Sequence, residues 1–322
     1  MYKSFYGLKE NPFNVNPDPR YLFMTKEIEE ALSGLMYGIQ ARKGIITLTG
    51  EVGTGKTTLV NRLLDWLGER HAKTAFLFNS RMNSMQLFDF VLAEFDIACN
   101  SNSKSSRLMK LNQWLLDRYR AGETAILIID EAQNLTFPVL EEIRMLTNLE
   151  TSTEKLLQIV LSGQSELEEK LKLPELRQLR QRIMIRCKTG ALSKDQTRDY
   201  ILERLRIAGA ANNGQLIFNQ KATETVHVYS LGIPRVINLL CEHSLINGYV
   251  GQKLPIDADI VEEVAHEFQL DEVEPIVPQG RLQPGSDLYS SEAFIQNLGE
   301  ALMRFRLNVR PESIPGRGRS NS

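Results

Sequence analysis

Residues 50–57 read Gly50-Glu51-Val52-Gly53-Thr54-Gly55-Lys56-Thr57, with Thr58 next. This is the spacing GxxxxGK[ST], and it suits the binding of a polyphosphate. The glycines let backbone N–H groups turn inward where side chains would obstruct them. A helix starting near Gly55 adds the partial positive charge of its N-terminus. Lys56 is expected to neutralise β- and γ-phosphate oxygens, and the Thr57 hydroxyl to ligate Mg2+. A second constellation, Asp130-Glu131, follows the apolar run AILII. Bare carboxylates are costly inside a core, so they belong at the carboxyl edge of a sheet, where open α/β folds place ligands. There Asp130 would hold Mg2+, directly or through water, and Glu131 would polarise an attacking water as general base. The chain between Lys56 and Asp130 has room for one strand and its helices, so the two motifs are expected on different, adjacent strands. Together they predict ATP and Mg2+ at one site and phosphoryl transfer to water.

Further polar residues fall where they could join that site. Ser162 and Gln164 follow a strand-like run in LQIVLSGQ, and either could contact the γ-phosphate or the water. Asn79, after another such run, could hold Glu131 in an inactive rotamer, although a plain turn residue is the favoured reading there. The segment LRQLRQRIMIR carries Arg177, Arg180, Arg182 and Arg186. One of them, Arg182 ahead of Arg180, could reach the γ-phosphate of a neighbouring subunit and stabilise its developing charge; a solvated face or a nucleic-acid patch are the alternatives. Arg235 opens a helix behind Pro234, a favoured first helical residue. It has no evident packing task and could swing onto the nucleotide.

The elements that must position these residues alternate. Strands are expected at 45–49, 74–78, 125–129, 156–161 and 183–187, with helical periodicity at 26–43, 55–68, 84–96, 106–121 and around 136–150. Such alternation predicts a parallel sheet with helices on both faces. After Gly190 the strands stop, and 193–208, 220–230, 233–247 and 257–268 read as helices of a small second domain. Residues 1–25, rich in Pro, Asn and aromatics, read as an ordered arm without regular structure. From Asp271 the chain is polar and proline-rich, a linker. It is followed by one amphipathic stretch, Phe294, Ile295, Leu298, Leu302 and Phe305, that would either dock on a partner or fold back. The expected divisions are therefore 1–25, 26–190, 191–270 and 271–322.

At 322 residues the chain can bury a large core without disulfides or metals. Its net charge of −2 does not advertise a nucleic-acid or membrane-surface protein. Cys99, Cys187 and Cys241 are far apart and lack metal-ligand spacing, so they read as reduced thiols. The N-terminus lacks an apolar segment behind a basic start, and no run of 18 apolar residues occurs. A cytoplasmic location is expected, with recruitment to the inner membrane by partners.

Taken together these motifs resemble the AAA+ superfamily, and within it the ExeA / general secretion pathway protein A family. The carrying segments are FYGLKENPFNVNPDPRYLF, LTGEVGTGKTTL, IIDEAQNL, IVLSGQSEL and LGIPRVINLLCEHSL, over roughly residues 1–268. The resemblance implies a P-loop three-layer sandwich with a five-stranded parallel sheet, followed by an all-helical lid. It implies ATP between lid and sheet, the arm lining the adenine, a first sensor near 162–164, an arginine finger near 180–182 and a second sensor at Arg235. It also implies a homo-oligomer with shared sites, hydrolysing ATP to drive assembly or regulation of a secretion, polysaccharide-export or pilus complex. Members of the secretion pathway carry a transmembrane helix and a peptidoglycan-binding domain after this module. A chain ending in a short polar tail is expected to act like the shorter relatives beside export or pilus machinery. Related modules select targets in transposition, so an ATP-gated DNA-binding regulator is the alternative.

Overall fold

The computed structural model describes residues 2–270 apart from 15, 71, 79–81, 102 and 215. Asn79 and the expected linker and amphipathic stretch after Asp271 lie outside the described residues.

Three strands, β1 (Ile45–Thr49), β3 (Ala125–Ile129) and β4 (Leu157–Gly163), are buried at every position. β3 is an unbroken apolar run and β1 and β4 are mostly apolar, as suits a layer covered on both faces; their buried polar members are Thr47, Thr49, Gln158 and Ser162. The flanking strands β2 (Lys73–Leu77) and β5 (Ile183–Lys188) carry exposed positions, as edge strands do. All pairings are parallel, in the order β2-β3-β4-β1-β5. The expected adjacency of the two motif strands is thus corrected: β4 lies between β1 and β3. Chain length between motifs limits how many elements intervene, whereas sheet order depends on where a later strand inserts.

Successive side chains of a strand face opposite sides, and this divides the core. Ile46, Leu48, Ile126 and Ile128 pack under α2 (Lys26–Gln40) and α3 (Lys56–Gly68). Leu127, Ile129, Ile159 and Leu161 face α4 (Ser84–Glu94), α5 (Lys104–Arg120), α6 (Phe137–Leu146), α7 (Ser165–Lys172) and α8 (Arg177–Arg182). The result is a three-layer sandwich.

Beyond β5 the chain enters an all-helical lid of α9 (Lys194–Ile207), α10 (Gln220–Ser230), α11 (Pro234–Val250) and α12 (Ala258–Glu267). Side chains cap three of these helices: Ser193 with Gln196 closes a capping box on α9, Asn219 caps α10 and Asp257 caps α12. Pro234 opens α11 without a side-chain cap. The turn into α11 needs glycine at 232. Its φ is +74°, and a β-carbon there would fall 1.9 Å from the Leu192 carbonyl oxygen.

The arm is more regular than its composition suggests. It holds one helical turn, α1 (Tyr2–Phe5), and a 3-10 turn at Pro19–Tyr21, closed by the Asp18 carboxylate accepting from the Arg20 N–H at 2.9 Å. Tyr6, Leu8 and Phe13 belong to the lid core. Burying a side chain such as Phe13 contributes about 1.5–3 kcal/mol, enough to hold this stretch in place. Farther on, the Asn61 amide of α3 donates to the Pro17 carbonyl at 3.0 Å. The arm therefore joins lid to sheet a second time, besides the β5–α9 connection.

Candidate active site

The carboxyl ends of β1, β3 and β4 lie along one edge of the sheet, and each carries part of the site. After β1 the loop turns through Gly53 and Gly55, with φ of +80° and +94°. Side chains rarely adopt such values. Gly55 stands at the N-cap of α3 with no side-chain cap, so the first-turn N–H groups remain available to a ligand. Val52 to Thr58 line a cavity of about 320 Å3 together with Glu131, Gln164 and Arg235.

Lys56 is buried and spans its own loop, donating from Nζ to the carbonyls of Gly50 at 2.7 Å and Glu51 at 2.9 Å. Burial lowers its pKa; the carboxylates of Glu131, Asp130, Glu51 and Glu166 oppose that shift. The loop is braced from behind. Thr54 Oγ1 donates to the Glu51 carbonyl and meets Thr189 Oγ1, each at 2.7 Å, and a β-carbon at Gly50 would come within 2.2 Å of Thr189 Oγ1. Ser165 Oγ donates to Glu51 Oε1 at 2.5 Å. Thr54 and Glu51 thus shape the loop with their side chains.

Asp130 is buried at the tip of β3. Its Oδ1 accepts from Ser162 Oγ at 2.7 Å and from the Glu131 N–H at 3.0 Å, and Thr57 Oγ1 donates to its Oδ2 at 3.5 Å. Ser162 lies buried within β4 and ties that strand to the tip of β3. Gln164, just beyond the strand, lines the cavity and donates from Nε2 to Glu131 Oε2 at 3.2 Å. Of the two residues weighed for the first sensor, only Gln164 reaches the cavity. A hydroxyl and a carboxylate at this spacing form an all-oxygen donor set of the kind Mg2+ uses when it keeps several waters.

From the lid, the Arg235 N–H donates to the Gly53 carbonyl at 3.2 Å, and its exposed side chain lines the cavity. Glycine at 53 permits this approach, since a β-carbon there would sit 2.7 Å from that of Arg235. The arginine run is not brought to this cavity. Arg182 ends α8 immediately before β5, whose first residue pairs with Ile45 at the beginning of β1, the sheet edge opposite the site. Its Nη1 donates to Thr147 Oγ1 at 3.0 Å, and Arg180 Nη1 to the Lys172 carbonyl at 3.3 Å. Arg177 and Arg186 are exposed.

Residues 39–171 match the family model described as an AAA domain. Over 250 residues the chain is 42% identical to "General secretion pathway protein A" of Aeromonas hydrophila, covering 77% of this chain and 45% of that protein. The chain carries an AAA domain over residues 39–171. It spans about half the length of the curated relative it matches. Among solved structures it is similar to Cdc6p from Pyrobaculum aerophilum, with a TM-score of 0.58 at 18% identity over 78% of this chain and 70% of that one. It is also similar to the Aeropyrum pernix ORC2 protein, with a TM-score of 0.56 at 16% identity over 80% and 71%. These two likenesses speak to the fold: a P-loop NTPase sandwich with a helical lid. Among the described residues no helix is long and apolar enough to cross a membrane.

The resemblance placed the arm and the lid around the nucleotide, but the sequence reading did not name the residues they contribute. Tyr21 of the arm and Tyr200, Arg204 and Asn238 of the lid line it. Arg204, buried, donates from Nε to the Pro12 carbonyl at 2.6 Å, from Nη1 to Tyr200 Oη at 2.5 Å and from Nη2 to the Asn14 carbonyl at 3.4 Å. Its guanidinium lies 4.6 Å from the Tyr21 ring centroid. Tyr200 in turn donates to Asn238 Oδ1 at 2.9 Å. The only trace in the sequence is the i, i+4 spacing of Tyr200 and Arg204 on one helix face, which many core pairs share.

Proposed function

We propose that this AAA protein binds and hydrolyses ATP with Mg2+ as a homo-oligomer. Its turnover would drive assembly or regulation of a membrane-associated export complex, of the secretion, polysaccharide-export or pilus type. The observation that carries the reading is the convergence of three strand ends on one cavity: residues 52–58 after β1, Glu131 after β3 and Gln164 after β4, with Asp130 beside them bonded to Thr57 and Ser162. Thr57 and Asp130 would hold the metal, which supplies charge neutralisation between phosphate oxygens. Lys56 would exchange its two carbonyl partners for phosphate, an anion that suits a buried ammonium better. Glu131 would take the proton of the attacking water, with Gln164 beside it and Arg235 entering from the lid.

A shared site is supported by the place of Arg182. A strand of five residues is roughly 16 Å long, so an arginine at its start cannot serve the cavity at its finish in the same subunit. A neighbour's cavity is then its natural target, with Arg182 leaving Thr147 to reach it. The export role is supported by the likeness to general secretion pathway protein A and is carried no further by the geometry.

The test is ATP turnover per subunit against protein concentration. Turnover should rise as subunits associate, fall at least about a hundredfold in Arg182→Ala, and return in part when Arg182→Ala is mixed with Lys56→Ala, because hybrid interfaces pair an intact loop with an intact finger. Turnover independent of concentration and of Arg182 would remove the shared site.

A further inference from the structure

We propose that Gln133 is a positioning residue that holds the carboxylate of Glu131 in its working orientation. The inference rests on the hydrolytic reading above and adds a residue to it. Glu131 leaves β3 in the left-handed region, with φ +52° and ψ +38°. Such a conformation is strained for a residue with a side chain, and it persists only where the surroundings enforce it. Here the enforcement comes from a 3-10 turn, Ala132–Asn134, in which Ala132 is fully buried and the Asn134 N–H returns to the Glu131 carbonyl at 3.0 Å. The turn brings Gln133 back alongside Glu131.

Gln133 then makes two bonds whose directions fix its amide. Its Oε1 accepts from the backbone N–H of Gln164 at 3.1 Å, a contact only the oxygen can make. That leaves Nε2 facing Glu131 Oε2, to which it donates at 2.5 Å. Gln164 Nε2 adds a second donor to the same oxygen. The amide thus ties the tip of β3 to the tip of β4. Room for it depends on glycine at 163, where a β-carbon would fall 2.9 Å from Gln133 Oε1. The backbone is held as well: Lys170 Nζ donates to the carbonyls of Gln133 and, at 2.9 Å, of Leu135.

Gln133 does not line the cavity, whereas Glu131 and Gln164 do, so its influence on the reaction passes through Glu131. The choice of an amide fits the task. A glutamate carboxylate on a long side chain must lose rotamer freedom before it can aim at water. A lysine or arginine would hold it firmly but would neutralise the charge that makes it a base. A glutamine donates a hydrogen bond and carries no charge.

The experiment measures kcat, KM and the ATP dissociation constant of the full chain for Gln133→Met, which keeps the volume and loses both polar atoms. We expect kcat to fall about tenfold, a fraction of what loss of a general base costs, while ATP affinity stays within twofold of wild type. In a Glu131→Gln background the same substitution should lower turnover no further, because the group it acts through is gone. Gly163→Ala, whose β-carbon would fall 2.9 Å from Gln133 Oε1 and 3.0 Å from Leu167, should also lower kcat and serves if Gln133→Met does not fold. Wild-type kcat in both variants, or a loss that repeats in full in the Glu131→Gln background, would overturn the proposal. Wild-type turnover in Glu131→Gln alone would instead overturn the hydrolytic reading, and this inference with it.

Discussion

The two walls of the cavity differ in how they are made. The sheet-side wall is built from short contiguous stretches, residues 52–58 with Glu131 and Gln164 at neighbouring strand ends. The opposite wall takes Tyr21 from the arm, Tyr200 and Arg204 from α9 and Asn238 from α11. A cradle of backbone amides demands glycine and lysine at fixed spacing, because the ligand is held by the chain's own turn. A wall of side chains demands only that suitable residues meet in space, and many sequences can satisfy that. The first wall is therefore legible as a motif and the second is not.

Substitutions should separate the walls by the size of their effects. Lys56→Ala removes the buried ammonium of the first wall; ATP affinity, measured by equilibrium binding, should weaken at least about a hundredfold, the scale of hydrogen bonds to a charged group. Gly232→Ala attacks the turn that sets the lid over both walls. The added methyl would meet the Leu192 carbonyl at 1.9 Å, and the loss should be about 3 kcal/mol in denaturant unfolding, from positive φ and clash together. Arg204→Lys keeps the charge of the second wall but loses the fork that holds Pro12, Asn14 and Tyr200 at once. ATP affinity should weaken only about fivefold, with faster proteolysis near residues 12–16. If Arg204→Lys matched Lys56→Ala, the walls would not differ in the way described.

The smallest effect lies farther out, where the arm meets α11. Glu242 accepts from Tyr2 Oη at 2.9 Å and from Asn11 Nδ2 at 3.0 Å. Burial raises its carboxyl above the ordinary value, and those two hydrogen bonds pull it partly back. A raised folded value means that the fold favours the protonated form. Its stability contribution is complete below the ordinary carboxylate range and is lost as pH rises through the folded value. Glu242→Gln should therefore flatten the pH dependence of Tm between neutrality and pH 5 by about 2 °C and should not lower Tm at neutrality. A steeper dependence in the variant would contradict this.

Much of the architecture was legible because periodicity is a local property. The solid runs at 45–49 and 125–129 are strands to the residue, and Ser193 and Pro234 start their helices as expected. What was missed depends on sheet order and on packing between distant segments. β4 was placed outside the pair it separates, and with it went the bridge from Ser162 to Asp130. Gln133 sits two residues from Glu131 in plain view, yet its role depends on a left-handed turn and on the N–H of Gln164, which spacing does not announce. The arm reads as irregular because its order comes from the lid core it joins through Tyr6, Leu8 and Phe13.

The central claim is that one cavity both grips ATP and activates the water that attacks it, and that Glu131 serves only the second task. Binding and single-turnover hydrolysis of ATP with Mg2+, measured side by side on wild type and Glu131→Gln, test it most directly. The account predicts equal affinity for the two proteins and hydrolysis at least about a hundredfold slower in the variant. Failure of the wild-type protein to bind ATP, or wild-type hydrolysis by Glu131→Gln, would contradict it.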